Sequence, residues 1–360
     1  MNLPETMRAM VTIGHGDLDQ IVLHDDWPRP DPKAGEVLIR VGACGLNNTD
    51  VNTRVGWYSK AVTDATSGAG YASVDDEDPT WGGAPITFPR IQGADVCGTI
   101  VAVGAGVDAA RIGERVITDG WLRDADALED MNKTGYFGSE RNGGFAEYTT
   151  TPSRNALAVI SDLTDAELAT FSCSYSTAEG MLTRANVTAD DTVLIPGASG
   201  GVGGALVQLA KRRGARVIAM ASEAKHHDVA ALGPDKILPR APKSLPAVLG
   251  EEQVTVVADV VGGPYWPSLI DILERGGRYT CSGAIAGPMV ELDLRTFYLR
   301  DLTFTGSTVI PLEVMPKIVR YIEDGSIKPA LAASYPLEEL RAAQAAFTGK
   351  THAGNIVVIP

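Results

Sequence analysis

Cysteine is scarce in this chain. The four present, Cys44, Cys97, Cys173 and Cys281, stand far apart and form no CxxC pair. That spacing excludes a disulfide framework and a zinc finger, and it suits free thiols in a reducing cytoplasm. Positive charge is also short: 31 Lys and Arg stand against 45 Asp and Glu, for a formal net charge of −14. Such a balance argues against general affinity for nucleic acid or anionic membrane. No apolar run approaches the roughly 18 residues a membrane span requires. The opening MNLPETMRAMVTIGHG lacks the basic-then-apolar pattern of a secretion signal. These exclusions leave a soluble cytoplasmic protein with a small-molecule substrate. Its 360 residues, 44% of them apolar, can bury at least one large core, and two domains are expected.

The first third is rich in Gly and Pro, with short apolar runs such as Glu36–Val41 and Thr99–Val103. Runs of this kind between turn residues predict strands of an irregular barrel. From Thr192 the rhythm changes. Strands are expected at Thr192–Pro196, Arg216–Ala221, Lys236–Leu238, Val254–Asp259, Arg278–Ser282 and Leu302–Thr305, with helical segments between most of them. That alternation predicts βαβ units on a parallel sheet. Helices Leu312–Asp324 and Leu337–Phe347 and a closing strand Asn355–Ile359 follow, and this tail looks more like the first domain than the second.

One junction carries chemistry. Strand Thr192–Pro196 runs into Gly197-Ala-Ser-Gly-Gly-Val-Gly203 and then a helix, in which Val202, Leu206, Leu209 and Ala210 share a face. Glycines let the backbone approach a pyrophosphate, and a helix start supplies N–H donors and a positive dipole end. The competing reading is a tight strand–helix turn with no ligand. Context favours a dinucleotide.

Motifs along nearly the whole chain fit one family in order and spacing. They are GACGLNNTD (Gly42–Asp50), RIQGADVCGTIVAVGAGV (Arg90–Val107), GERV (Gly113–Val116), NGGFAEY (Asn142–Tyr148), CSYSTAEGML (Cys173–Leu182), PGASGGVG (Pro196–Gly203), DVVGG (Asp259–Gly263), GGRY (Gly276–Tyr279) and HAGNIVV (His352–Val358). On these the sequence resembles the medium-chain dehydrogenase/reductase superfamily, in its zinc-free quinone oxidoreductase-like branch. The resemblance implies an α/β protein with a GroES-like β-barrel domain, 1–155 and 311–360, and a Rossmann domain with a doubly wound parallel sheet, 156–310. Cofactor and substrate would share the cleft between them.

Zinc alcohol dehydrogenases of this superfamily hold the metal with Cys, His and Cys. Alignment of CGLNNTD and GADV with the family's CGVCHTD and GHE forms puts Asn47 and Ala94 at the first two positions. Only Cys173 keeps a ligand type; with Asp95 it would make a poor site. No metal is expected. Hydrogen-bond donors must then polarise the substrate oxygen, and the resemblance points to Asn47, Thr49 and Tyr58. Each also has a plain reading: a loop-stabilising amide, a local turn bond, a packing ring.

The cofactor set expected from the resemblance is Thr177, Gly197, Ser199, Gly200, Gly201, Val202, Ser222, Lys225, His226, Val261, Ser282, Gly283 and Asn355. An NAD site keeps an acid at the end of the second strand for the ribose 2′-hydroxyl. Here that position is Ala221, followed by Ser222, Lys225 and His226, which suits the 2′-phosphate of NADP(H). Glu223 dissents, and is expected to face solvent in the next helix's first turn.

The leading expectation is an NADPH-dependent, metal-independent reductase of a quinone, enone or activated carbonyl compound. A zinc-independent alcohol dehydrogenase or ketone/aldehyde reductase is the alternative, and a non-catalytic dinucleotide-binding protein the third. Pairing of Leu302–Thr308 with its twofold mate would give a homodimer or larger even oligomer. The stretch between Gly56 and Pro89 is longer than in most of the family and carries Trp57, Tyr58, Tyr71 and Trp81. It reads as a substrate lid, a subunit contact or a surface excursion. Its acidic run Asp75–Asp78, most simply a solvated face, weakly disfavours a CoA thioester. WLRDADALEDMNKTGYFGSERNGGF, Trp121–Phe145, is a candidate second wall of the pocket.

Overall fold

A computed structural model describes residues 3–72, Val74 and 85–360. Trp81 and the acidic run Asp75–Asp78 lie outside the described residues.

The barrel is organised around the Glu36–Gly45 strand. Val37, Leu38 and Ile39 are all fully buried, because this strand has neighbours on both edges and both faces. It pairs antiparallel with Asp95–Val103 and with Tyr148–Pro152. Its end pairs with the tail, Cys44 against Val358 and Gly45 against Val357. The tail therefore closes the barrel sheet, burying Ile356, Val357 and Val358. A smaller sheet of Ile21–Pro28, Thr6–Thr12 and Arg90–Ile91 completes this half.

The second half is a six-stranded sheet, parallel throughout. Its order is Lys236–Pro239, Arg216–Ala221, Thr192–Pro196, Val254–Asp259, Leu273–Cys281 and Thr303–Gly306. Winding reverses between Thr192–Pro196 and Val254–Asp259, which is where a doubly wound sheet opens a ligand crevice. Leu273–Cys281 begins earlier than the apolar pattern suggests. Gly276, at φ 77°, and a register shift between Val254 and Val256 break up its first half.

Three helices position the site: α1 (Asn48–Val55), α2 (Ser172–Arg184) and α3 (Gly201–Arg212). α2 joins the two halves. Its Tyr175 is fully buried and donates its hydroxyl to the Lys328 carbonyl at 2.5 Å. Among the described residues no helix is long and apolar enough to cross a membrane.

Candidate active site

α1 starts at Asn47, and Asp50 organises its first turn. The Asp50 carboxylate accepts from the Asn47 N–H at 2.8 Å and from the Gly93 N–H at 3.1 Å. One buried side chain thus ties the loop carrying Asn47 to the loop carrying Ala94. Asn47 is only 6% exposed, and its Nδ2 is buried with no hydrogen bond of proper geometry. The amide does lie beside Asp95 and favours that carboxylate's charged form. An NH₂ group has two protons to give, so a donor remains for a ligand oxygen.

Asp95 also accepts the Cys173 N–H at 2.9 Å, which fixes the first turn of α2. Burial pushes both carboxyls up to about 7, against the pull of their donors, and Asp50 raises Asp95 further. The folded protein keeps protons that the unfolded chain releases near pH 3.8. This pair therefore lowers stability as pH rises from about 4 to about 7. Asp95→Asn keeps an acceptor for Cys173 and removes the buried charge. It is expected to raise Tm at about pH 8 and to change it little at about pH 4. Equal shifts at both pH values in thermal unfolding would show that the buried charge is not the cause.

Around the carboxylates stand a thiol and two phenols. Burial, and then Asp95, push the Cys173 thiol far above its ordinary value, while Tyr136 and Thr177 lie against it. Tyr58 lies against the Thr49 hydroxyl and the Asn52 amide, both opposing the rise that burial imposes on it. Tyr136 comes from the Trp121–Phe145 stretch. It pairs across a hairpin with Trp121, their rings 5.0 Å apart. A Cβ on Gly120 would stand 2.8 Å from the Tyr136 ring, so glycine is needed there to admit it. Asn47, Thr49 and Tyr58 are thus brought together, with Asn52 and Tyr136 as members the sequence reading missed.

These residues do not fit a zinc ion. The family's three ligand positions hold an amide, a methyl and a thiol, so one metal-ligating side chain remains of three. No group of three His, Cys, Asp or Glu among the described residues could hold a metal.

The glycine loop does fit a dinucleotide. Gly197 turns the chain at φ 68°. A Cβ on Gly203 would lie 2.1 Å from the Gly197 carbonyl, whereas one on Gly200 would meet only that oxygen at 3.6 Å. α3 therefore packs tightly on the turn, and Gly200 leaves an open approach to the N–H groups of Gly201 and Val202. Ser199 is fixed through its carbonyl, which accepts the Gly354 N–H at 2.9 Å. On the far side of the crevice Val261 donates its N–H to Asp259 at 2.7 Å. Ser282 donates its N–H to the Asp259 carbonyl at 3.3 Å, and the Gly283 carbonyl accepts from the Cys281 thiol at 3.2 Å. Thr177 lies one helical turn after Cys173 on α2. Asn355 stands beside Gly201, where an added Cβ would lie 2.2 Å from its Oδ1. Its Oδ1 accepts from Ser174 at 3.1 Å and its Nδ2 donates to the Thr170 carbonyl at 3.3 Å, which leaves one amide proton.

Beyond Ala221, cations gather. Lys225 donates to the Lys350 carbonyl at 2.6 Å, and His226 Nε2 lies 3.2 Å from the Ala221 carbonyl. Lys350 Nζ sits 3.7 Å from the Phe347 ring centroid and 3.1 Å from Asn48 Oδ1. Lost hydration and then the Lys225 charge bring Lys350 down to about 8. His352 is lowered by burial, Lys350 and Lys225. Ser222 is half-buried at the start of this turn and Glu223 is exposed.

Residues 33–162 match the alcohol dehydrogenase GroES-like domain family, and residues 201–324 match the zinc-binding dehydrogenase family. The second span includes none of Asn47, Ala94 and Cys173. The chain is similar to a solved structure from Sinorhizobium meliloti 1021 that carries the provisional name alcohol dehydrogenase. Identity is 46% and the TM-score 0.89, covering 99% of this chain and 98% of that one. It is 26% identical to acryloyl-coenzyme A reductase of Metallosphaera sedula, over 98% of this chain and 99% of that protein. It is 25% identical to the chloroplastic NADPH-dependent alkenal/one oxidoreductase of Arabidopsis thaliana, over 100% of this chain and 81% of that protein. A barrel closed by its own tail, a doubly wound sheet with this glycine loop, and these matches give one conclusion: the chain belongs to the medium-chain dehydrogenase/reductase superfamily of oxidoreductases.

Proposed function

We propose that the protein is an NADPH-dependent, metal-independent reductase of an enone, quinone or other activated carbonyl compound. The observation that carries this reading is the buried, unsatisfied Nδ2 of Asn47 at a position where zinc relatives keep a ligand. An NH₂ group held there beside Asp95, with a proton to spare, can meet an oxygen on which negative charge develops. The glycine loop and Lys225 would hold a reduced NADPH, which would supply a hydride when bound. As the carbon beside Asn47's oxygen ligand, or the carbon conjugated to it, becomes reduced, the amide stabilises the resulting oxyanion. Tyr58 then gives up its phenolic proton, with Thr49 holding the hydroxyl in line, and solvent restores it. Loss of water from the closed cleft strengthens each of these contacts.

The two named relatives support an acceptor with an oxygen conjugated to a C=C bond, since an acryloyl thioester and an alkenal/one share that feature. Simple ketones and aldehydes are the second reading, in which Tyr58 protonates an alkoxide. A panel of quinones, enones, aldehydes and ketones, each with NADPH and with NADH, tests the proposal. The expected result is turnover of conjugated acceptors that survives chelation, with no stoichiometric metal by elemental analysis. One zinc per chain, with activity lost on its removal, would overturn it.

We also place the domain division at 1–155 with 311–360 against 156–310, and propose a homodimer. Thr303–Gly306 is the last strand of the parallel sheet. Beside it α4 (Leu294–Leu299) exposes Leu294, Tyr298 and Leu299, at 65%, 60% and 56%. An apolar patch on a sheet edge suits a twofold contact. Light scattering should give the dimer mass at micromolar concentration, and Tyr298→Asp with Leu294→Asp should shift it toward the monomer. A monomeric parent protein would contradict this.

A further inference from the structure

We infer that Asn52 is a positioning residue for Tyr58, and that Thr66 makes this placement depend on contact between the barrel and the Rossmann domain. The inference rests on the reading of Tyr58 as proton donor.

The geometry begins at the end of α1. Gly56, at φ 76°, turns the chain back so that the Trp57 N–H reaches the Asn52 carbonyl at 2.8 Å. Tyr58 therefore leaves the helix alongside Asn52, which is 7% exposed. Thr49 and Asn52 are three residues apart and share one face of α1, and both lie against the Tyr58 hydroxyl.

The segment that follows is folded on itself and tied back to α1. Trp57 Nε1 donates to the Asp64 carbonyl at 2.9 Å, Tyr71 to the Ala65 carbonyl at 2.7 Å, and the buried Arg54 to the Gly68 carbonyl at 3.1 Å. Held in this way, Thr66 makes two bonds in different directions. Its hydroxyl donates to Asn52 Oδ1 at 3.1 Å. Its N–H donates across the cleft to the Ile285 carbonyl at 3.0 Å. Ile285 and Ala286 are in turn tied to the end of a Rossmann strand, donating to the Val260 and Val261 carbonyls at 3.4 and 2.8 Å. A continuous path thus runs from Val261, beside the glycine loop, to the proton donor.

The direction of the bonds matters. With Oδ1 taken by Thr66, Asn52 presents Nδ2 to the Tyr58 oxygen. A phenol that accepts from an amide keeps its own proton for an acceptor on the other side. Without the Thr66 hydroxyl the amide can turn over and present Oδ1, which would draw that proton away from the substrate. Opening of the cleft breaks the Thr66–Ile285 bond and loosens the same arrangement, so the donor is in place only when the domains are together.

The test is a double-mutant cycle on the single-turnover rate of NADPH oxidation, with 1,4-benzoquinone and methyl vinyl ketone as acceptors. Thr66→Val should slow this rate about 5-fold, a general-acid effect of modest size, and Thr66→Ser should restore it. On a Tyr58→Phe background, Thr66→Val should have no further effect, because the group it positions is gone. A 5-fold loss on both backgrounds, or a wild-type rate in Thr66→Val, would overturn the inference. If Tyr58→Phe alone runs at the wild-type rate, or if neither acceptor is reduced, the functional reading fails and this inference falls with it.

Discussion

Replacing Asn47 by leucine is expected to lower kcat about 100-fold while leaving the KM for NADPH nearly unchanged, the size of effect seen when an oxyanion donor is removed. Leucine has a similar volume and no donor. The substitution therefore asks whether the amide matters as an amide. At about pH 6, where Asp95 is largely protonated and the amide's support of its charge is idle, the same change should not weaken the fold. Asn47 Nδ2 is buried without a proper partner, and an unsatisfied buried donor costs about 1–3 kcal/mol. The backbone N–H of residue 47 still reaches Asp50, so the start of α1 survives. A higher Tm together with a large loss of kcat is the signature of a site that accepts instability in return for chemistry. A leucine variant with unchanged kcat would remove Asn47 from the mechanism. One with equal losses in kcat and Tm would show that its role is to hold the loop.

What the sequence made legible was local. The glycine loop could be read because strand, turn and helix lie within one short stretch, and the structure places Gly197 and Gly203 in the backbone roles that such a loop requires. The same holds for the tail, whose alternating apolar residues close the barrel against Cys44 and Gly45. Asn47 and Ala94 were visible because each sits inside a motif of fixed length. Tyr136 was not, because only the hairpin register opposite Trp121 delivers it to Cys173. Lys350 and His352 were missed for a similar reason. Lys350 adopts φ 51° at the end of a helix and returns the tail toward the turn after Ala221, a contact between residues 125 apart in the chain. Asn355 was legible by motif and residue type alone. A single sequence does not reveal that Ser174 and Thr170 also bond to its amide. Long-range pairing decides which polar side chains remain available.

The cofactor prediction has the second large effect: kcat/KM with NADPH should exceed that with NADH by at least ~10-fold, and Lys225→Ala should abolish most of the difference. Ala221 ends the second Rossmann strand with no carboxylate to bind a ribose 2′-hydroxyl, and Glu223 is exposed. Burial first, and then repulsion among Lys225, Lys350 and His352, lowers both Lys350 and His352. Asp228 supports the Lys225 charge, while burial and Arg240 oppose it. A phosphate dianion would relieve the crowding. A charge-assisted bond is worth about 1.5–3 kcal/mol, reduced here because Lys225 is partly open to solvent. Loss of Lys225 should therefore raise the KM for NADPH roughly 10-fold and leave that for NADH alone. Salt should weaken NADPH and spare NADH, as screening of a charged contact requires. The pH dependence has a definite sign. Free Lys350 loses its proton near pH 8, and a bound dianion holds that proton on, so NADPH binding should weaken as pH rises through about 8 while NADH binding stays flat. Steady-state kinetics with both cofactors on one acceptor, across pH and in the Lys225→Ala variant, measures all of these. Equal efficiency with the two cofactors, or a preference for NADH, would show that the cations after Ala221 serve the fold and not the phosphate.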